Sequence, residues 1–246
     1  MSASSKLEGD ARDRLIVALD VPSRTEALRL ADQLSGVCSW VKVGLELYLA
    51  AGNGVVEELQ RRDYSVFLDL KFHDIPTTVA GAVRSAASLG VSLLTVHAAG
   101  GPAMLAAAAL AASNFVDPPW LLAVTVLTSM GRPELAATGI EMSPNEQVLR
   151  LALMAQANGI DGLVCSAQEV QALRHELRRD VQLVVPGIRP AGTSVSDQKR
   201  VATPADAIRA GADMLVVGRP ITRAADPTRA ALAILEEMNR ALADAH

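Results

Sequence analysis

Three charged residues, Asp69, Lys71 and Asp74, lie close together in a run that is otherwise largely apolar. If this run is a strand, its alternating side chains put Asp69 and Lys71 on one face and leave Leu68 and Leu70 on the other. An inward-facing Asp and Lys would both be partly buried. A structural ion pair is the simplest interpretation of an isolated Asp-x-Lys, but here a second carboxylate follows it.

Two further charged residues, Asp20 and Lys42, lie at the ends of neighbouring predicted strands. Together these residues would form an alternating array of Asp and Lys side chains. Two carboxylates about 4 Å apart repel each other by about 4 kcal/mol at an effective dielectric near 20, unless lysines compensate. Such costly arrangements concentrate in active sites, so the array is a candidate for catalysis.

The elements that would position these residues are eight short runs rich in Val, Ile and Leu. Stretches with helical spacing separate them, and this alternation of strands and helices predicts a parallel sheet. The predicted strands are Leu15–Leu19, Trp40–Val43, Val66–Leu70, Leu93–Val96, Leu121–Leu127, Gly162–Cys165, Gln182–Val185 and Met214–Val217.

Eight such units in 246 residues favour an α/β fold closed into a (β/α)8 TIM barrel, with an open doubly wound sheet as the alternative. We expect one domain over residues 13–246, preceded by a flexible tail over residues 1–12. Because aromatic residues make up only 3% of the chain, we expect Ala, Val, Leu and Ile to fill the core.

Polar residues at the C-terminal ends of the strands are the candidates for chemistry in this fold. Two long connections that follow predicted strands, Thr128–Ser143 and Gly187–Thr203, suggest functional loops. The candidates are Asp20, Lys42, Asp69, Lys71, Asp74, His97, Thr128, Ser129, Arg189 and Arg219.

The composition limits the classes of partner. A net charge of −4 and a pI near 5.6 provide no general attraction for nucleic acid or an anionic membrane. No apolar stretch approaches the roughly 20 residues of a membrane helix. Cys38 and Cys165 lack metal-ligand spacing, so we expect buried free thiols, no metal and a cytoplasmic protein.

The run Asp69-Leu70-Lys71-Phe72-His73-Asp74-Ile75-Pro76-Thr77-Thr78 resembles the Asp-x-Lys-x-x-Asp-Ile-Pro-x-Thr signature of orotidine 5′-phosphate decarboxylases. This motif is highly specific, and the likeness covers nearly the whole chain. It implies decarboxylation of orotidine 5′-phosphate to UMP, the last step of UMP biosynthesis, with no cofactor. The other matching segments are Ile16–Asp20, Val41–Gly44, Val96–Ala98, Pro186–Arg189 and Val217–Pro220.

The resemblance also implies catalytic roles. Lys71 would deliver a proton to C6 of the pyrimidine, while Asp69 and Asp74 flank the reacting carboxylate and Lys42 belongs to the same charged network. Members of this family are homodimers. Asp74, Ile75 and Thr78 would therefore be contributed to the partner's site.

For the nucleotide, the resemblance implies a phosphate site made of Arg219, the backbone of Gly218, and Gln198, with Arg189 nearby. The segment between Arg189 and Gln198 would be a mobile lid, or simply a solvated loop. The remaining contacts would be Asp20 and Lys42 with the ribose, and Thr128 and Ser129 with the pyrimidine amide edge.

Purely structural roles for some of these residues stay open. Thr128 and Ser129 could cap a helix, and Arg219 could be a surface residue beside a tight turn. We favour a structural role for His97, although a histidine at a strand end also suits acid–base chemistry.

Two other functions compete with this assignment. A magnesium-dependent sugar-phosphate decarboxylase or synthase of the same superfamily, such as hexulose-phosphate synthase, shares Asp-x-Lys-x-x-Asp but lacks the Ile75-Pro76-x-Thr78 continuation and the Thr128-Ser129 segment. A catalytically silent nucleotide-binding protein would keep the phosphate site. The intact Asp69, Lys71 and Asp74 argue against it.

Overall fold

Eight parallel strands close into a barrel in chain order in the computed structural model, which describes residues 10–190 and 201–244. The first strand closes the sheet, because Ile16 is in register with Trp40 on one side and with Val216 on the other. The predicted (β/α)8 barrel is confirmed. The strands are β1 (Leu15–Ala18), β2 (Trp40–Gly44), β3 (Ser65–Phe72), β4 (Leu93–His97), β5 (Trp120–Val124), β6 (Gly162–Val164), β7 (Gln182–Val185) and β8 (Met214–Val217).

Helices connect successive strands, and several begin at a capping residue. The Ser143 side chain, for example, accepts from the Glu146 backbone N–H. None of the helices in the described part of the chain is both long and apolar enough to cross a membrane. The helices are α1 (Arg24–Leu34), α2 (Leu45–Ala51), α3 (Asn53–Gln60), α4 (Pro76–Ala87), α5 (Gly101–Ser113), α6 (Arg132–Ala137), α7 (Pro144–Ala157), α8 (Ala167–Glu176), α9 (Pro204–Arg209), α10 (Arg219–Thr222) and α11 (Pro227–Ala243).

The buried core has two parts. Ala, Val, Leu and Ile dominate the larger part, between the barrel and its helices, as expected. The barrel interior differs, because Trp40, Phe67 and Trp120 lie there beside smaller aliphatic side chains. The expectation that Ala, Val, Leu and Ile fill the core is therefore incomplete inside the barrel, where three aromatic side chains occupy part of the space enclosed by the strands.

The ends of two predicted segments differ from the sequence interpretation. The strand predicted over Leu121–Leu127 ends at Val124, after which the Thr125 hydroxyl donates to the Val164 carbonyl at 3.0 Å. Near the N-terminus, Ala11 lies within the predicted tail but is fully buried in a short 3-10 helix. The chain therefore joins the fold before residue 12.

The pairing between β3 and β4 is irregular at the end that carries the charged residues. Leu68 pairs with Leu94, but the next pair is Phe72 with Val96. Three residues of β3, 69–71, therefore lie opposite the single residue Thr95. An insertion of this kind bends a strand and redirects its side chains.

Gly162 shows how closely neighbouring strands approach. A Cβ at this position would lie 2.6 Å from the Gln182 carbonyl oxygen and 2.7 Å from Leu122 Cδ2. Because backbone cannot move aside cheaply, we expect Gly162→Ala to lower the free energy of unfolding by about 1–3 kcal/mol, measured by urea denaturation. Gly54→Ala, in helix α3 with nothing nearer than 3.9 Å, is the control and should be neutral or slightly stabilising. Equal effects of the two substitutions would contradict the prediction.

Candidate active site

A cavity of about 480 Å³ opens at the C-terminal ends of the strands. Eight of the predicted site residues line it, and they come from β2 and β3 and from the segments that follow β1, β5, β7 and β8. Those eight are Asp20, Lys42, Asp69, Lys71, Thr128, Arg189, Gly218 and Arg219.

A row of four alternating charges crosses one side of this cavity. Lys42 Nζ lies 2.7 Å from Asp20 Oδ1 and 3.4 Å from Asp69 Oδ2. Lys71 Nζ lies 2.8 Å from the other oxygen of Asp69, Oδ1. The order along the row is thus Asp20, Lys42, Asp69 and Lys71; Asp74, which the expected array also included, is not part of it.

The centre of the row is buried, and its opposite charges keep one another ionised. Lys42 and Asp69 are each only 8% exposed. Burial by itself would raise the pKa of Asp69, but the charges of Lys42 and Lys71 outweigh it and hold that pKa below its ordinary value. Burial likewise opposes the charged form of Lys42, yet Asp69 and Asp20 raise its pKa. Both groups are ionised at neutral pH.

Thr95 belongs to this cluster although the sequence analysis did not select it. Its side chain is completely buried, and its hydroxyl donates to Asp69 Oδ1 at 3.0 Å. The available signal was a single hydroxyl in the apolar run Leu93-Leu94-Thr95-Val96. Without the pairing of β4 with β3, nothing indicated which residue that hydroxyl would contact.

Part of the cavity lining is apolar. Phe67, Val124, Val126, Leu127 and Val164 line it, and Leu127 is 38% exposed. Thr128 follows directly and also lines the cavity. This wall could hold a flat ring, with polar groups at its edge.

Arginines lie at the end of the cavity formed after β7 and β8. Arg189 and Arg219 both line it, as predicted, and Arg223 and Thr222 do so as well. The Arg189 backbone N–H donates to the Ala202 carbonyl at 2.9 Å, which links the two sides of the intervening segment. An anionic group would be stabilised at this end.

Gln198 and, apart from Pro190, the predicted lid between Arg189 and Gln198 lie outside the described residues. Their predicted roles therefore stay predictions.

Four predicted site residues are not among those that line this cavity: Asp74, Ile75, Thr78 and Ser129. All four are exposed, and Ile75 is 64% exposed. Asp74 Oδ1 accepts a hydrogen bond from the Ile75 backbone N–H at 2.6 Å. The first three lie in the segment that leads into α4 and in its first turn.

His97 also lies outside this lining. Its ring is half-buried and 5.4 Å from the His73 ring, centroid to centroid. Burial, followed by the nearby His73 and Lys71, lowers the pKa of His97, which favours the neutral ring at neutral pH. Within residues 10–190 and 201–244, no three His, Cys, Asp or Glu side chains form a group suited to a metal ion.

Comparison with known proteins extends this picture. Residues 13–234 match the family described as "Orotidine 5'-phosphate decarboxylase / HUMPS family". The chain belongs to this family. A relative from Pseudomonas aeruginosa named orotidine 5'-phosphate decarboxylase is 53% identical over 225 residues, 91% of this chain and 97% of the relative. A relative of the same name from Vibrio campbellii is 48% identical over 231 residues, 94% and 97% of the two chains.

Solved structures agree with the family assignment. The orotidine 5'-phosphate decarboxylase of Lactobacillus acidophilus superposes with a TM-score of 0.82 at 40% identity, covering 92% of this chain and 98% of the other. An uncharacterized conserved protein from Geobacillus kaustophilus superposes with a TM-score of 0.81 at 36% identity, covering 92% and 100%.

In this member of the family, Gly44 leaves the space that the Lys42–Asp20 pair occupies. A Cβ there would lie 2.9 Å from Asp20 Oδ1 and 3.0 Å from Lys42 Nζ. Both atoms end flexible side chains, so we expect Gly44→Ala to displace the pair while the thermal unfolding midpoint changes by less than about 4 °C. A crystal structure of the variant should show Asp20 Oδ1 and Lys42 Nζ more than about 3.5 Å apart, which is beyond hydrogen-bond distance. An undisturbed pair would contradict this.

Proposed function

We propose that this chain decarboxylates orotidine 5′-phosphate, giving UMP and carbon dioxide without a cofactor. The observation that carries the proposal is the buried Asp69 carboxylate, kept ionised between Lys42 and Lys71 inside a cavity whose other end carries arginines. The names of the relatives at 53% and 48% identity support the same substrate.

The two ends of the cavity suit the two ends of such a nucleotide. Its phosphate would bind to Arg219, Arg189 and the Gly218 backbone, with Gln198 as a further donor. The ribose hydroxyls would bind to Asp20 and Lys42. The pyrimidine would lie on the apolar wall, and its amide edge would face Thr128 and Ser129.

The proposed chemistry takes place between Asp69 and Lys71. The bond from C6 to the carboxylate carbon breaks, carbon dioxide leaves, and the electron pair stays on C6. Lys71 Nζ then gives C6 a proton and later recovers one from water. Lys71 also stabilises the carbanion as it forms, because its positive charge is already in place.

Asp69 contributes through repulsion. A substrate carboxylate about 4 Å from an ionised Asp69 is destabilised by about 4 kcal/mol at an effective dielectric near 20. Loss of carbon dioxide removes that repulsion, and a difference of this size corresponds to about a thousandfold in rate. Because Lys42 and Lys71 hold Asp69 ionised, it cannot escape the repulsion by taking up a proton at neutral pH.

The exposed segment from Asp74 to Thr78 supports a homodimeric enzyme. By the family signature, Asp74, Ile75 and Thr78 contact the substrate. They nevertheless lie outside the cavity of their own chain. In the dimer that we propose, Asp74, Ile75 and Thr78 enter the partner's cavity, and Asp74 faces the substrate carboxylate there.

The two cysteines fit a cytoplasmic enzyme. Cys38 and Cys165 are both buried, and burial raises the pKa of Cys38 to about 12. Reduced, unreactive thiols of this kind are typical of a reducing compartment.

The first test follows the absorbance of orotidine 5′-phosphate with EDTA-treated protein. We expect turnover to survive chelation and to fall by at least about 10³-fold in Lys71→Ala, since the proton donor is lost. Lys71→Arg is the matched control: it keeps the charge but not a readily released proton, and should be similarly slow.

Two results would contradict the proposal. Turnover of orotidine 5′-phosphate that requires added magnesium would contradict the cofactor-free mechanism. A folded wild type without turnover would favour the magnesium-dependent sugar-phosphate enzyme or the silent binding protein.

The shared site is tested by mixing two inactive variants, Lys71→Ala and Asp74→Ala. In a mixed dimer, one cavity would receive Lys71 from one chain and Asp74 from the other, while the second cavity lacks both. Random re-association should therefore restore about a quarter of the wild-type activity. If Asp74 acted within its own chain, the mixture would stay inactive. The double variant mixed with itself is the control.

A further inference from the structure

Lys71 has a backbone conformation that is rare for a residue with a side chain. Its φ is 52°, in the left-handed region, which costs roughly 1–2 kcal/mol for a residue other than glycine. Such a conformation persists only where surrounding contacts impose it. One such contact comes from the neighbouring strand, where the register of β3 against β4 skips from Leu68 to Phe72.

The Thr95 side chain makes that contact. The Lys71 backbone N–H donates to Thr95 Oγ1 at 2.9 Å, and the same hydroxyl donates to Asp69 Oδ1 at 3.0 Å. Lys71 Nζ donates to that oxygen as well, at 2.8 Å. Both ends of Lys71, backbone and ammonium, are therefore tied to one carboxylate oxygen, directly at one end and through Thr95 at the other.

We propose that Thr95 is a positioning residue for the reaction: its hydroxyl fixes the left-handed backbone of Lys71 and thereby the place of the Lys71 ammonium. The inference rests on the proposed function, in which that ammonium protonates the substrate. Thr95 acts through Lys71 and Asp69 and is not among the residues that line the cavity.

The chemistry of the hydroxyl explains why this position needs one. A single O–H group accepts from one neighbour and donates to the other, which is the combination that a backbone N–H and a carboxylate require. Thr95 is completely buried, so water cannot easily replace the hydroxyl. A valine of the same shape would leave the Lys71 backbone N–H without this acceptor.

The test compares Thr95→Val, which removes the hydroxyl, with Thr95→Ser, which keeps it. Misplacing a catalytic group by about 1 Å can cost about 100-fold, so we expect Thr95→Val to lower kcat by about 10- to 100-fold with little change in KM. Thr95→Ser should restore most of kcat. If Thr95→Val does not fold, Thr95→Ser against Thr95→Ala makes the same comparison.

A control separates positioning from stability. Tyr64→Phe also removes a buried hydrogen bond, which the Tyr64 hydroxyl donates to the Ala31 carbonyl at 2.7 Å. Tyr64 is not among the residues that line the cavity. It should lower thermal stability and leave kcat unchanged. A kcat for Thr95→Val within twofold of wild type, or a Thr95→Ser variant as slow as Thr95→Val, would overturn the inference.

Amide hydrogen exchange tests the contact without any substrate. In Thr95→Val the Lys71 N–H should exchange at least about tenfold faster than in wild type, since it has lost its acceptor. Unchanged protection would overturn the inference. A wild type that failed to decarboxylate would contradict the proposed function alone, because this measurement would still report on the role of Thr95 in fixing Lys71.

Discussion

The Asp69 carboxylate, held ionised between Lys42 and Lys71, is the interaction on which the rest of the site depends. An isolated buried carboxylate would take up a proton, and an isolated buried ammonium would lose one. Here each charge offsets the cost of burying the opposite charge beside it, so the row is stable only as a unit. The exposed Asp20 at one end and Lys71 at the other connect that buried centre to the cavity.

The barrel makes this arrangement possible because it brings the ends of separate strands to one rim. Lys42 on β2 and Asp69 on β3 are far apart in sequence, but their strands are adjacent and parallel. Lys42 Nζ therefore lies 3.4 Å from Asp69 Oδ2. Below the rim, Trp40, Phe67 and Trp120 lie in the barrel interior. Above it, the segments after β7 and β8 carry Arg189 and Arg219, which also line the cavity.

The assignment joins two independent lines of support. The geometry places an ionised carboxylate and an ammonium side by side in a cavity that arginines also line, which suits loss of carbon dioxide from an anionic nucleotide. The family matched over residues 13–234 carries two names, "Orotidine 5'-phosphate decarboxylase / HUMPS family", whereas the relatives at about half identity carry the decarboxylase name alone. The roles of individual residues rest on the geometry and on the signature.

The sequence by itself determined the barrel and eight of the residues that line the cavity, because the strand and helix periods and the signature from Asp69 to Thr78 are local patterns. It also placed Asp69 and Lys71 together by simple alternation, although the backbone at Lys71 is left-handed. Only the tertiary structure decided that Thr95 joins the charged row and that Gly44 leaves room for it. Those features depend on the register between strands and on distances between residues remote in sequence, which no local pattern encodes.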